Sequence, residues 1–263
     1  MARRWELVCA HSRLIGFLSM RELERRFAGS LLGWWWSVAF PLAQMATFLL
    51  VLQVGLGVTA RGDYPLAVAL AAGIVAWAFL TEAVVNMTHA ISANSTLLRN
   101  SALPVEVFPA ASLCAALVTH AIILTLVMIG LAVAAYPPGL TILVLPYAIA
   151  CLCAFALPLG IICSVANAAF RDVAQAVVPL LALWFWLTPI VWPVSRIPGD
   201  LRWLVELNPG AHIVNAYRYA LLGDSASLPS ARETLIFWAM VLLLSATAML
   251  VTKAFRRQLG DML

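Results

Sequence analysis

Charge is what this chain has least of. Only 11% of its 263 residues are Asp, Glu, Lys or Arg, whereas soluble domains carry about 25%, and that shortage excludes an ordinary water-soluble fold. Catalytic punctuation is missing too. There is no HExxH, no GxSxG, no GxxxxGK[ST] and no His or Cys grouping with metal spacing, so the local signatures of metal-assisted, serine-dependent and P-loop hydrolysis are missing. Alternating strands of ~10 residues, the mark of a membrane barrel, do not occur. The five cysteines, Cys9, Cys114, Cys151, Cys153 and Cys163, form no CxxC spacing and read as packing residues. Arg13, Arg21, Arg25 and Arg26 follow Arg3 and Arg4 with no uninterrupted apolar stretch before them. A cleaved leader is therefore not expected, and the first membrane helix acts as the targeting signal.

What is present is hydrophobic length. Hydrophobic residues make up 63% of the chain and the mean hydropathy is +0.96. Six apolar runs, at about 34–59, 65–88, 108–134, 141–168, 174–192 and 231–252, compare with the ~20 residues a helix needs to cross a bilayer. The expected fold is an all-α integral membrane protein of six transmembrane helices, preceded by an N-terminal amphipathic interfacial helix. No linker or repeat divides it, so one transmembrane domain is expected: a cytoplasmic segment at 1–33, a membrane part at 34–252 and a cytoplasmic tail at 253–263. Arg3, Arg4, Arg13, Arg21, Arg25, Arg26, Arg99, Arg171, Lys253, Arg256 and Arg257 flank one side; Arg61, Arg196, Arg202, Arg218 and Arg232 flank the other. Eleven cations against five place both termini in the cytoplasm by the positive-inside rule. These topological arginines account for the net charge of +4 without a nucleic-acid partner.

Two connections are more than turns. Residues 60–64 and 135–140 are short outer loops marked by Gly62 and by Pro137, Pro138 and Gly139. The inner segment 90–109 instead holds Asn94, a candidate cap for a short helix that Pro104 must end. The outer stretch 192–229 is too apolar for a solvated loop. Within it Asn208 then Pro209 reads as an N-cap with Pro at the first helical position, and Gly223 as the stop. Short helices at the outer leaflet, or re-entering it, are expected there.

From Met20 the chain reads as a basic amphipathic helix leading into three tryptophans. At 100° per residue Met20, Leu23, Phe27 and Leu31 share a band about 80° wide. Glu22 and Arg26 form an i,i+4 pair, leaving Arg21 and Arg25 free. Such cations serve either anionic lipid headgroups in general or a pyrophosphate-linked substrate. Trp34, Trp35 and Trp36 point in three directions, and with Trp184, Phe185, Trp186 and Trp192 they admit two readings, interfacial anchors or pore wall. Gly29 and Gly33 suggest close packing at the elbow. Glu82 and His120, ionisable within spans, read as bundle-facing polar contacts.

Four groups of residues together resemble a known family. They are Arg25-Arg26-Phe27 to Gly33 with Trp36 and Pro41-Leu42; Asn94 to Pro109; Phe170-Arg171-Asp172 with Gln175; and Thr188-Pro189-Ile190 through Pro193 to Asn208-Pro209 and Tyr217-Arg218. In order and spacing they resemble type-2 ABC transporter permeases of the polysaccharide export family, the Wzm-like O-antigen permeases with their teichoic acid and capsule relatives. The Thr-Pro-Ile-Val-Trp-Pro run favours the O-antigen type.

That resemblance implies a channel-forming subunit without catalytic residues or cofactors of its own. It pairs with a second copy and with two ATPase subunits that bind ATP and Mg, and exports polyprenyl-pyrophosphate-linked glycan across the inner membrane. It further implies that Arg21, Arg25 and Arg26 lie at the lipid-pyrophosphate site and that Trp34, Trp35, Trp36, Trp184, Phe185 and Trp186 supply channel aromatics. Asn94, Leu97, Leu98, Arg99, Asn100 and Leu103 would form the coupling helix, and Trp192, Pro193, Asn208, Pro209, Tyr217 and Arg218 the outer gate. One rival is an exporter of the same architecture carrying another lipid or a drug. The other is an ion-coupled carrier or membrane transferase built on Glu82, His120 and Arg218, which are scattered in depth.

Overall fold

Apolar length becomes helix because lipid offers the backbone no other hydrogen-bonding partner. The computed structural model describes residues 2–31, 33, 35–61, 63–100 and 103–261, with side chains between 13 and 256 except at 27, 37, 61, 99 and 195. Trp34 and Gly62, and the side chains of Arg3, Arg4, Cys9, Arg99 and Arg257, lie outside the described residues. The elements run α1 (Ala2–Phe27), α2 (Trp35–Leu49, extended by a π turn Leu50–Gly55), a two-stranded hairpin (Ala60–Arg61 with Tyr64–Pro65), α3 (Leu66–Ala93), α4 (Ser95–Arg99) and α5 (Val107–Val133). After them come a 3-10 turn (Leu140–Val144), α6 (Leu145–Ala169), α7 (Asp172–Leu187), α8 (Trp203–Glu206), α9 (Pro209–Leu222) and α10 (Ala231–Asp261).

Among the described residues, five stretches are long and apolar enough to cross a membrane: Val38–Gly55, Leu66–Ala93, Val107–Val133, Leu140–Ala169 and Ala231–Arg256. The fifth run of the sequence folds as α7, apolar but only 16 residues long, or about 24 Å at 1.5 Å per residue. Pro179 sits inside it, and Pro189 follows its end. The helix also departs from expectation at two other boundaries. α1 stops at Phe27 rather than continuing to Leu31, because Gly29 and Gly33 take left-handed backbone at φ +75° and +49°. Their role is conformational rather than close packing, since a methyl group on either would meet nothing within 4 Å. α3 runs five residues beyond position 88, to Ala93.

α3 is the axis of the fold and touches α2, α5, α6, α7 and α9. It is 72% enclosed over its most apolar stretch, against 11% for Val38–Gly55 and 17% for the α10 span. Small residues make that possible. Ala69, Ala72, Ala76, Ala83 and Ala90 are all buried, and without side-chain bulk neighbouring helices approach closely enough to gain dispersion contact, the main attraction left between helices in lipid. Gly160 of α6 is the tightest approach: a Cβ there would overlap the side chain of Met87 on α3.

Where α3, α6 and α7 meet near Ile91 and Asn167, polar side chains lock the helix ends. Ser164 Oγ accepts from Ile91 N at 3.2 Å, Asn167 Nδ2 donates to Thr88 O at 3.1 Å, and Asn167 Oδ1 accepts from Ala174 N at 3.2 Å. Asn167 thereby spans the α6–α7 turn and ties it to α3. Arg256 of α10 pairs with Glu106 just before α5. Cys114, Cys151, Cys153 and Cys163 are free thiols, buried or half-buried.

Gly160→Ala is expected to cost about 1–3 kcal/mol through overpacking and to lower the temperature at which the detergent-solubilised protein unfolds. Gly130→Ala, where a methyl group meets nothing within 4 Å, should melt like the parent. Equal melting of the two variants would mean that Met87 swings aside without strain.

Candidate functional site

The break after α7 leaves several backbone carbonyls without helical partners, and two side chains of the α9 segment meet them. Arg218 donates from Nη1 to Pro189 O at 2.9 Å and from Nη2 to Ile190 O at 2.8 Å. Asn208 donates from Nδ2 to Leu187 O and to Thr188 Oγ1, both at 3.1 Å, while its Oδ1 accepts from Gly210 N at 3.0 Å and from Trp184 Nε1 at 2.8 Å. Asn208 is the N-cap of α9 with Pro209 at the first position, and Gly223 ends the helix at φ +69°, as the local sequence indicates. Tyr217 OH lies 2.8 Å from His120 Nε2 of α5. Ten of the fourteen α9 residues are buried, so the predicted gate residues Asn208, Tyr217 and Arg218 are internal struts. Trp192 is half-buried, its Nε1 donating to Trp186 O at 2.9 Å, and Pro193 opens the 3-10 turn that follows.

This fixed end of α7 forms one wall of a cavity of about 640 Å³ between α2, α3 and α7. Six aromatic side chains line it: Trp36, Phe40 and Phe48 from α2, Trp77 from α3, Phe185 and Trp186 from α7. Phe48 stacks on Phe185 at 5.3 Å and 18° and meets Trp186 edge-on at 5.9 Å. One turn further along α3 the lining turns polar, with Thr81, Glu82 and Asn86, and Arg26 of α1 joins them. Thr81 Oγ1 is buried with no hydrogen-bond partner among the described residues.

Arg26 is the junction of three helices. Its Nη1 donates to Glu82 Oε1 at 2.7 Å, its Nε to Glu22 Oε1 at 3.4 Å and its Nη2 to Ser112 O of α5 at 3.4 Å. The expected Glu22–Arg26 pair is thus the longer of two. Glu22 holds Arg25 more closely, at 2.7 Å, so Arg25 is not the free cation the helical spacing suggested; its one-turn spacing from Glu22 serves as well as the four-residue one.

The three arginines do not converge. Arg21 and Arg25, i and i+4 on one face, border a groove of about 630 Å³ with Glu24 and with Asn94, Thr96, Leu97 and Asn100 around α4, while Arg26 turns about 100° away into the membrane cavity. Asn94 precedes α4 but does not cap it with its side chain: Nδ2 donates backwards to Ala90 O at 2.8 Å, holding the end of α3. Leu98 and Leu103 pack with Leu18, Val107 and Phe108 beneath the groove, while Leu97 and Asn100 are exposed. A third hollow, of about 880 Å³, takes Arg171 and Gln175 with Asn167, His89 and Phe255.

The aromatic expectations divide in the same way. Trp36, Phe185 and Trp186 line the cavity. Trp184 does not: its ring packs edge-on to Trp77 at 5.4 Å and against Phe155 at 5.7 Å behind the wall. Trp35 is exposed outside the cavity. Phe48, Trp77 and Asn86 escaped the sequence reading, although Trp77 stands mid-span where an interfacial-belt explanation does not apply. The Glu82–Arg26 contact joins residues 56 apart and leaves no local pattern to find.

Residues 13–222 match the ABC-2 type transporter family. Over 205 residues the chain is 28% identical to an O-antigen export system permease protein, RfbA, of Myxococcus xanthus, covering 76% of this chain and 77% of that relative. A protein of the same name from Klebsiella pneumoniae is 24% identical over 206 residues, 78% of each chain.

The different surroundings of two tryptophans set an expected outcome. Trp184→Ala removes a packed ring and the bond to Asn208, and should cost about 3–5 kcal/mol, read as a clear loss of thermal stability in detergent. Trp36→Ala, 58% exposed in the cavity mouth, should melt within a degree or two of the parent. The reverse ranking would refute the placement of the cavity wall.

Proposed function

The chain belongs to the ABC-2 type transporter family, and from that premise we propose that it is the channel-forming subunit of an ATP-driven exporter of lipid-linked polysaccharide, O-antigen type. The observation that carries the cargo is the similarity to O-antigen export permeases along about three quarters of the chain. On this reading two copies meet around a shared conduit, and two separate ATPase subunits bind ATP and Mg and supply the work. The chain itself needs no cofactor. It sits as a single six-span domain in the inner membrane with both termini cytoplasmic, α7 together with Thr188 to Trp192 completing the short span.

The site residues take roles from where they lie. Arg26 at the polar end of the cavity receives the polyprenyl pyrophosphate, since a guanidinium offers paired donors to phosphate oxygens. Trp36, Phe185 and Trp186, with Phe48 and Trp77, offer apolar ring faces along which sugars slide without a fixed register. Asn94 to Leu103, with α4 exposed at its centre, seats in the ATPase, and Arg21 and Arg25 flank that contact. α8 and α9, hung on Asn208 and Arg218, close the outer side. α1 lies along the inner leaflet.

Deleting the gene is expected to abolish surface polysaccharide while lipid-linked glycan accumulates inside the cell, read by immunoblot of whole cells against spheroplast lysates. The tagged chain should co-purify with an ATPase in equal amount. Undiminished surface glycan after deletion would leave export of another lipid or a drug as the function.

A further inference from the structure

Arg26 carries five N–H donors and cannot lose its charge in a protein, yet its strongest partner is a carboxylate that lines the same cavity. The 2.7 Å contact with Glu82 is the short one; Glu22 and Ser112 O lie at 3.4 Å. Both partners are largely shielded, Arg26 at 13% and Glu82 at 23% side-chain exposure, and both line the cavity wall. Beside Glu82 the Thr81 hydroxyl is buried and unpartnered among the described residues, an arrangement native structures rarely leave without a ligand or water.

Resting on the phosphate reading above, we propose that Glu82 is a built-in competitor for the substrate's diphosphate: the incoming diphosphate ester displaces Glu82 from Arg26. A diphosphate brings more negative charge and more acceptor oxygens than one carboxylate, and paired N–H···O bonds to phosphate are the strong kind. Only a ligand with that charge density wins the exchange, so the ion pair acts as a threshold against single carboxylates and against neutral lipid. The exchange also unpins a helix. Arg26 is the penultimate residue of α1, and beyond it Gly29 and Gly33, in left-handed backbone with open space around them, lead to α2, the span with the least enclosure. A second face of α1, about 100° around, carries Arg21 and Arg25 at the α4 groove, so occupancy of the cavity is felt at α4 through one rigid helix.

The test uses the complete complex with its ATPase subunit in proteoliposomes, titrated with farnesyl diphosphate, farnesyl monophosphate and inorganic pyrophosphate while ATP hydrolysis is followed. Glu82→Gln is expected to lower the half-stimulating concentration of farnesyl diphosphate about tenfold, the loss of one charge-assisted competitor, and to narrow the preference for diphosphate over monophosphate. Glu82→Asp, which keeps the charge but draws it back by one methylene, should shift the same way by less, and it carries the test if the Gln variant does not assemble. Inorganic pyrophosphate should stimulate more weakly than the ester; an equal response overturns the assignment to a lipid headgroup. Wild-type stimulation with unchanged or weakened response in both variants overturns the competition and leaves the export reading standing. No response of the wild type to any diphosphate ester brings both down.

Discussion

Backbone immersed in hydrocarbon has no water to turn to, and each place where a helix stops must be satisfied from within the protein. The arrangement of this chain follows from how it meets that demand after α7. Thr188-Pro189 ends the helix, and the freed carbonyls of Leu187, Pro189 and Ile190 take their donors from Asn208 and Arg218, one at each end of the α9 segment. Because both donors belong to the same short stretch, α9 must lie against the break. Tyr217 then reaches His120, and Tyr64 of the hairpin donates to Leu222 O at 2.7 Å. Gly73 of α3 fits here for the same reason: a Cβ would stand 3.1 Å from Arg218 Nη2. A cation buried with carbonyls as partners makes a strut that tolerates little change, since an Arg-to-Lys exchange surrenders the fork that spans two oxygens.

Against that rigid assembly around α9 stands a loosely held α2. It touches α3 and sets Phe48 against Phe185 of α7, but only 11% of its apolar stretch is fully enclosed. Pro41 lines the aromatic cavity on one side and an apolar crevice of about 230 Å³ on the other, and the π turn Leu50–Gly55 loosens its far end. Low contact density marks the segment that moves most easily. The aromatic cavity therefore has one wall braced by Asn208 and Arg218 and one wall, α2, with far less packed around it.

How much of this was legible depended on whether the deciding interaction was local. The positions of five spans follow from apolar length, and the Asn208-Pro209 to Gly223 helix from capping chemistry contained in its own residues, so these are readable within a few positions, whereas the fifth apolar run folds as the shorter α7. Asn94 carries the same capping signal, but its side chain goes to Ala90 O because α3 extends to meet it. Helices hydrophobic on every side hide their facing; nothing in Trp184-Phe185-Trp186 says that the first ring packs behind the wall and the other two line it. The Gly29 and Gly33 spacing matched a packing motif while serving a backbone conformation, which pattern alone cannot separate. Arg26 with Glu82, and Tyr217 with His120, join residues far apart in sequence and become visible only once α3 and α5 are placed side by side.

The angular spacing of a helix gives α1 two separate duties. Arg21 and Arg25 repeat at four residues and share a face, whereas Arg26 lies one residue on, about 100° around. Had the inward cation stood at position 25, it would face α4 and the cavity would have no cation from α1 at its polar end. The ion pair with Glu82 reconciles that inward cation with a low-dielectric site, because an isolated guanidinium there would be costly to bury, while a paired one waits at a tolerable energy. A buried pair of this kind adds little net stability. On the competition proposed above, its value lies in keeping a charge poised where a more highly charged ligand can take it, on a helix that also borders α4.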